Sequence, residues 1–489
     1  MTEFLVSPEP TRSLAAPANP AARFDPASRG WLSRATNAFG EGLLRNQRLI
    51  QRGQWVVVLV YLVLVAVPAF LPLPGRLAHI FDNLTLFAQF AFWGLWWPFV
   101  LLSMVLVGRS WCGLFCPEGT LTEAVSRYGR GHAIPHWITW KGWPFVAFAM
   151  TTIYGQMVSV YQYPKPVLLI LGGSTFGAIV IGYLYGRNHR VWCRYLCPVN
   201  GVFGVLAKLA PVHFGVDEEA WALSRRSHDA GVRMVNCAPL VAIKTMRGAS
   251  DCHMCGRCSG FRGAISLAPR SPNHEIVHVA GTAAKPWETL LIVFGLMGIA
   301  AGAFHWSVSP WYVALKQAVA GGLVDHGVLW PLASQPPWWI LTDYPALNDQ
   351  MTLLDGGVLL AYIGATALVI GAAVSLCVWL AARGLGPSPA ARFHHLAQSL
   401  IPIAGCGVFL GLSAITVTML RAEGLTLAFV GPLRGMVLGG AAIWTIVLGW
   451  QIAGLAGAHV LRRSAATLSI AFAASIGVAS WVMLFWVWQ

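Results

Sequence analysis

Charge is what this sequence has least of. Asp, Glu, Lys and Arg make up 11% of its 489 residues, against about 25% in a soluble domain, and hydrophobic residues reach 56%, above the usual ~45–50%. Acidic residues are the scarcer half, with 19 Asp and Glu against 33 Lys and Arg, for a formal net charge of +14. So little charge excludes an ordinary globular enzyme, a disordered chain and a secreted disulfide scaffold. A signal peptide is not expected either, because Met1 to Gln54 has no apolar stretch ahead of a small-residue cleavage site; its Pro, Ala and Ser content reads as a cytoplasmic tail. The basic residues are not gathered into one patch interleaved with aromatics, so no nucleic-acid partner is expected.

Long apolar runs fill the space that charge leaves. Nine predicted spans lie near 55–72, 84–107, 143–160, 167–186, 287–305, 354–382, 396–420, 435–457 and 465–488, each able to cross about 30 Å of hydrocarbon as a helix. With the N-terminus cytoplasmic, 28 of the 33 Lys and Arg fall on the inside and only Arg76, Lys165, Lys316, Arg421 and Arg434 on the outside. The positive-inside bias therefore explains the basic charge and places the C-terminus on the side of the membrane opposite the N-terminus. Trp, present 23 times, clusters near span ends (Trp96, Trp97, Trp306, Trp311, Trp338, Trp339), where it reads as an interfacial belt. The expected fold is an all-α polytopic membrane protein of about nine helices, with a small cytoplasmic insert.

The ten cysteines carry most of the chemical information. Trp111-Cys112-x3-Cys116-Pro117 recurs as Trp192-Cys193-x3-Cys197-Pro198, offset by 81 residues, and each copy follows the second helix of a two-helix pair. The first is preceded by Gly108-Arg109 and the second by Gly186-Arg187. Cysteines at i and i+4 share one helical face, and the Pro can start or end a turn. Two such elements face to face offer four thiolates, which suit an iron–sulfur cluster, copper or a reversible disulfide equally well. A permanent disulfide does not suit the cytoplasm.

Further on, Cys252-x2-Cys255-x2-Cys258 is the core of a bacterial ferredoxin motif. Its expected Cys-Pro is replaced by Arg262-Gly263, although Ala264-Ile265-Ser266-Leu267 keeps the character of the residues that follow one. Upstream, Cys237-Ala238-Pro239 looks like the tail of a motif whose own triplet is missing. In two-cluster ferredoxins the fourth Cys of each run ligates the other cluster. The two losses together delete one cluster and leave Cys237, Cys252, Cys255 and Cys258 as a complete set for one [4Fe-4S] cluster; the same four would also fit a closed zinc site. Arg257 and Arg262 stand near these ligands, either adding positive potential or keeping the loop soluble.

Helix pairs, two W-C-x3-C-P elements and a ferredoxin-like segment together resemble the NapH, NosR C-terminal and CcoG (FixG) group of polyferredoxin-type membrane proteins, over roughly residues 50–285. The resemblance implies electron transfer at the cytoplasmic membrane, from a quinol or a cytosolic donor, in support of respiratory enzymes or of copper-site maturation. The chain departs from that pattern in keeping one ferredoxin cluster and in adding about 200 residues of membrane helices.

The expected organisation is a tail (1–54), duplicated hairpins (55–200), a ferredoxin-like segment (201–286) and a five-helix membrane domain (287–489). In the last, Cys377 and Cys406 read as packing residues. His394 or His395 with His459, and His305 with His326, are the histidine pairs to weigh for haem b, but all sit at interfaces and haem is not expected. Span acids are few, with Asp355 near one helix edge, which disfavours ion transport. The outer loop Trp306–Leu353 reads either as a docking surface for a partner or as a connector. The expected function is single-electron transfer between a quinone or soluble donor and a membrane or periplasmic redox partner, respiratory or photosynthetic. The alternative is a copper-handling assembly factor using the C-x3-C-P thiolates. Whether the chain is an enzyme, a quinol dehydrogenase or a metal reductase, is left open.

Overall fold

The computed structural model describes residues 30–75, 77–226 and 235–488. Residues 1–29 of the expected tail, together with Arg76 and Arg233, lie outside the described residues. A surface helix α1 (Trp31–Arg45) turns at Asn46 into α2 (Gln47–Ala66). Then come α3 (Leu84–Val107), the short α4 (Ser110–Leu114), α5 (Pro117–Ser126), α6 (Trp143–Met157), α7 (Pro164–Tyr185), the short α8 (Val191–Tyr195) and α9 (Asn200–Ala207). Strands β1 (Val212–Val216) and β2 (Ile265–Pro269) pair antiparallel, with Val212 opposite Pro269 and Val216 opposite Ile265. The second half holds α10 (Pro286–His305), α11 (Pro310–Asp325), the two-residue strands β3 (Asp343–Tyr344) and β4 (Asp349–Gln350), then α12 (Leu353–Gly384), α13 (Pro389–Ala422), α14 (Val430–Gly454) and α15 (Val460–Val487).

Eight of these helices are long and apolar enough to cross a membrane. The ninth expected span is α6, which has only 15 residues, about 22 Å at 1.5 Å per residue. It must cross nonetheless. The cysteines after α3 and those after α7 line one cavity, so both helices end on the same face and the chain between them has to return. The far end of α6 reaches the opposite face, where the Met157 carbonyl accepts from Thr342 N at 2.9 Å and Ser159 Oγ meets Thr342 Oγ1 at 2.7 Å.

Later crossings are fixed by contacts at both ends. Lys208 pairs with Glu288 at the start of α10, and His395 in α13 bonds the Ile276 carbonyl, both on the cysteine face. On the opposite face Glu423, after α13, accepts from Ile80 N at 2.8 Å, and Trp488 meets His305 edge-on. Large apolar side chains such as Phe176, Leu368, Val369, Leu468 and Phe472 are exposed along the spans, as expected of surfaces facing lipid. Both hairpin second helices widen into π turns, at Phe90–Trp96 in α3 and Leu168–Gly172 in α7, a distortion frequent at functional sites.

Two paired thiol quartets as the candidate redox centre

The repeat seen in the sequence is a repeat in three dimensions. In the first element Phe115 N and Cys116 N both donate to the Trp111 carbonyl; in the second Leu196 N and Cys197 N both donate to the Trp192 carbonyl, all at 2.9–3.0 Å. Each short helix therefore closes just before its second cysteine, and the following Pro lies outside it. The offset also corrects the sequence alignment of the flanks. Arg109 corresponds to Arg190, not to Arg187, and both are buried, at 3% and 2% exposure. The 81-residue spacing already contained that signal.

The Cys116 thiol feels the charge of Cys193 and Cys112, and that of Cys197 feels Cys193, Cys116 and Cys112. This is the first quartet. Burial, and then neighbouring thiols and Glu118, push Cys116 and Cys197 well up; burial also takes Cys193 to about 12. These four line one end of a cavity of ≈ 230 Å³. Its walls are apolar, with the aromatic Phe92, Trp93 and Trp96 from the π turn of α3 and the aliphatic Ile170 and Leu171 from that of α7. Glu118 also lines it and accepts from Trp192 Nε1 at 3.1 Å; burial holds its carboxyl above the usual range.

The second quartet is assembled from distant pieces. Cys252, Cys255 and Cys258 lie on a tight loop with Met254 and Gly256 at φ 53° and 75°. A side chain on Gly256 would strike Leu43 of α1, 2.4 Å from its Cβ, so the residue without one is needed twice over. Cys237 reaches this loop because its segment is tied to the second hairpin: Arg190 N donates to Ala238 O at 2.7 Å and Asn236 Nδ2 to Asn188 O at 2.9 Å. Burial, then Cys258, Cys255 and Cys237 in turn, push the Cys252 thiol up, and burial with Cys255 and Cys237 takes Cys258 to about 12.

Neutral thiols this deeply buried ionise only against a positive centre. Among the described residues no three His, Cys, Asp or Glu side chains converge closely enough to hold a single metal ion. A set of four thiols is the donor set that a [4Fe-4S] cluster takes, one iron to each.

Arg257 is ion-paired to Glu123 at 2.7 Å, and Arg262 stacks over Trp221 and Phe261. The histidines weighed for haem are placed elsewhere: His394 bonds Thr289, His395 the Ile276 carbonyl, His326 the Gly322 carbonyl, His459 caps α15, and His305 packs on Trp481 and Trp488. Cys377 and Cys406 stand apart in α12 and α13. Asp355 closes a capping box with Thr352 and pairs with Lys316.

Residues 89–135 and 168–217 match a family described as a 4Fe-4S binding domain. Those segments contain the two Cys-Pro elements, the quartet for which sequence reasoning left the ligand open. YccM of Escherichia coli K12, named as a candidate electron transport protein, is 25% identical over 230 residues, which cover 41% of this chain and 61% of that protein. The regulatory protein NosR of Pseudomonas aeruginosa is 24% identical over 188 residues, 33% of this chain and 25% of NosR. The chain thus spans under two thirds of the length of either relative. No solved structure matches. With two segments that match a 4Fe-4S binding domain set between membrane helices, this part of the chain is similar to polyferredoxin-type membrane proteins of the NosR kind.

Proposed function

We propose that this protein is an integral membrane electron-transfer protein holding two [4Fe-4S] clusters, one on Cys112, Cys116, Cys193 and Cys197 and one on Cys237, Cys252, Cys255 and Cys258. The observation that carries the reading is the adjacency of the two quartets, one facing an aromatic cavity among the membrane helices and the other in the insert outside them. Clusters of this type exchange single electrons; the chain holds them in place and tunes their potential. An apolar cavity with Glu118 and Ser174 among its few polar groups suits the head of a hydroquinone, which loses two electrons and two protons on oxidation. The insert, on the face carrying most Lys and Arg, suits a soluble one-electron carrier in the cytoplasm. On this reading the N-terminus and both quartets are inside and the C-terminus outside the cell membrane.

Iron and acid-labile sulfide analysis of anaerobically purified protein, followed by mixing with a short-chain hydroquinone under EPR, tests the proposal. About eight irons per chain and cluster signals that respond to the hydroquinone are expected. Copper or zinc at these thiols without sulfide would overturn it, and would favour metal handling.

A further inference from the structure

Gly113 lies between the two cysteines of the first Cys-Pro element, where that element meets the loop of the second quartet. A Cβ on Gly113 would fall 2.0 Å from the His253 carbonyl oxygen and 2.9 Å from Cys255 N, whereas ordinary contact starts at 3.4 Å. Both neighbours are backbone and cannot rotate away. The peptide next to Cys112 therefore rests on the peptide next to Cys255 with no side chain between them.

Three ties hold that contact shut. On one face of α2, seven residues apart, Gln47 Nε2 donates to the Cys255 carbonyl at 3.0 Å and Gln54 Nε2 to the Gly113 carbonyl at 2.9 Å. One side chain thus grips each quartet from a single rigid helix. Behind them the Glu123 carboxylate joins Arg190 and Arg257, each at 2.7 Å. Arg190 also donates to the Cys112 carbonyl at 2.6 Å, and Arg257 sits between Cys255 and Cys258. Glu123 is held below its usual range because the two guanidiniums outweigh burial, so the bridge stays charged. Every tie ends on a cysteine of one quartet or the other, or on its neighbour in the chain.

We infer that the Gly113–Cys255 backbone contact is the electron path between the two cluster sites, and that Gln47, Gln54 and Glu123 are positioning residues that set the separation. The step moves one electron and no proton: one site is oxidised by one electron as the other is reduced by one, and no bond forms or breaks. It rests on the reading that both quartets hold clusters. The path turns two isolated sites into one relay between the cavity and the insert.

Four proteins decide it: wild type, Cys258→Ser, Gly113→Ala and the double variant Gln47→Ala/Gln54→Ala. Each is measured for iron and sulfide and by EPR after full reduction with dithionite. Wild type should contain about eight irons and give lines broadened by two interacting spins; Cys258→Ser should fall to about four and give a narrow single-cluster spectrum. Gly113→Ala should keep the wild-type iron content while its lines narrow toward those of isolated clusters. The double glutamine variant should move the same way by a smaller amount, and it decides the matter if Gly113→Ala loses iron. Full iron with unchanged broadening in the glutamine variant and in any iron-replete Gly113→Ala overturns the path. About four irons in wild type would instead overturn the two-cluster reading, which separates that failure from this one.

Discussion

Glu275 keeps its charge at 2% exposure because everything around it donates. Arg270 reaches it at 2.6 Å, and the backbone N–H groups of Ala249 and Ser250 at 2.7 and 3.3 Å. Burial alone would raise its pKa; Arg270, Lys208 and the Ala249 N–H overcome this and hold it below the ordinary 4.5. A lowered folded-state value means that the stabilisation is complete above the unfolded-chain value and is lost as pH falls through the lowered one. Cluster retention should therefore be flat from neutral pH down to about pH 5 and fail at lower pH, read by iron release across a pH series. Glu275→Gln leaves Arg270 buried beside a neutral partner and should cost about 3–5 kcal/mol, seen as faster cluster loss on warming. The cysteines divide by quartet: Cys112→Ser should remove one cluster and Cys252→Ser the other, each halving the iron content.

At the scale of elements, glycine decides how closely helices pack. Gly298 and Gly302, four apart on α10, face α12 so tightly that added Cβ atoms would lie 2.8 Å from Ala367 Cα and 3.0 Å from Ile363 Cα. Small residues at this spacing let membrane helices approach at backbone distance. Gly298→Val should overpack the seam and cost about 1–3 kcal/mol, measured as a lower midpoint in detergent unfolding with the iron content of the folded fraction unchanged. The hairpin elements were legible in the sequence because duplication repeats its own signature: Trp, two Cys and Pro at one offset. The role of α2 was not. Gln47 and Gln54 are two unremarkable amides in a chain segment that reads as a span and its flank, and nothing local says that their partners are carbonyls at residues 255 and 113.

Across the whole molecule, two faces sort the charge. Among the described residues, the segments that meet at the cysteine face hold most of the 28 Lys and Arg assigned to the inside; Arg12, Arg23, Arg29 and Arg233 lie outside the described residues. A periplasm-active reporter fused after Gln489 should be active and one after Gly384 inactive; the opposite pattern would invert the orientation. Polar ties bind the second membrane half to the insert. Lys208 joins Glu288 and Gln398, and Asn273 joins Gln451 and Trp444. Three of the membrane helices of this half, α10, α13 and α14, are thereby tied to the cysteine face.

Sequence by itself determined the properties that are local or additive. Apolar run length set the spans, Lys and Arg placement set which segments share a face, and the covalent spacing of Cys-x2-Cys-x2-Cys and Cys-x3-Cys-Pro brought ligands together within each motif. Only the tertiary structure decided what joins residues far apart in the chain. It carried Cys237 to the Cys252 loop through hydrogen bonds to the second hairpin, and opened an aromatic cavity at two π turns. It also pressed Gly113 against Cys255. The physical reason is that these contacts depend on helix packing and backbone approach across separations of 15 to more than 200 residues, distances over which residue spacing carries no geometric constraint.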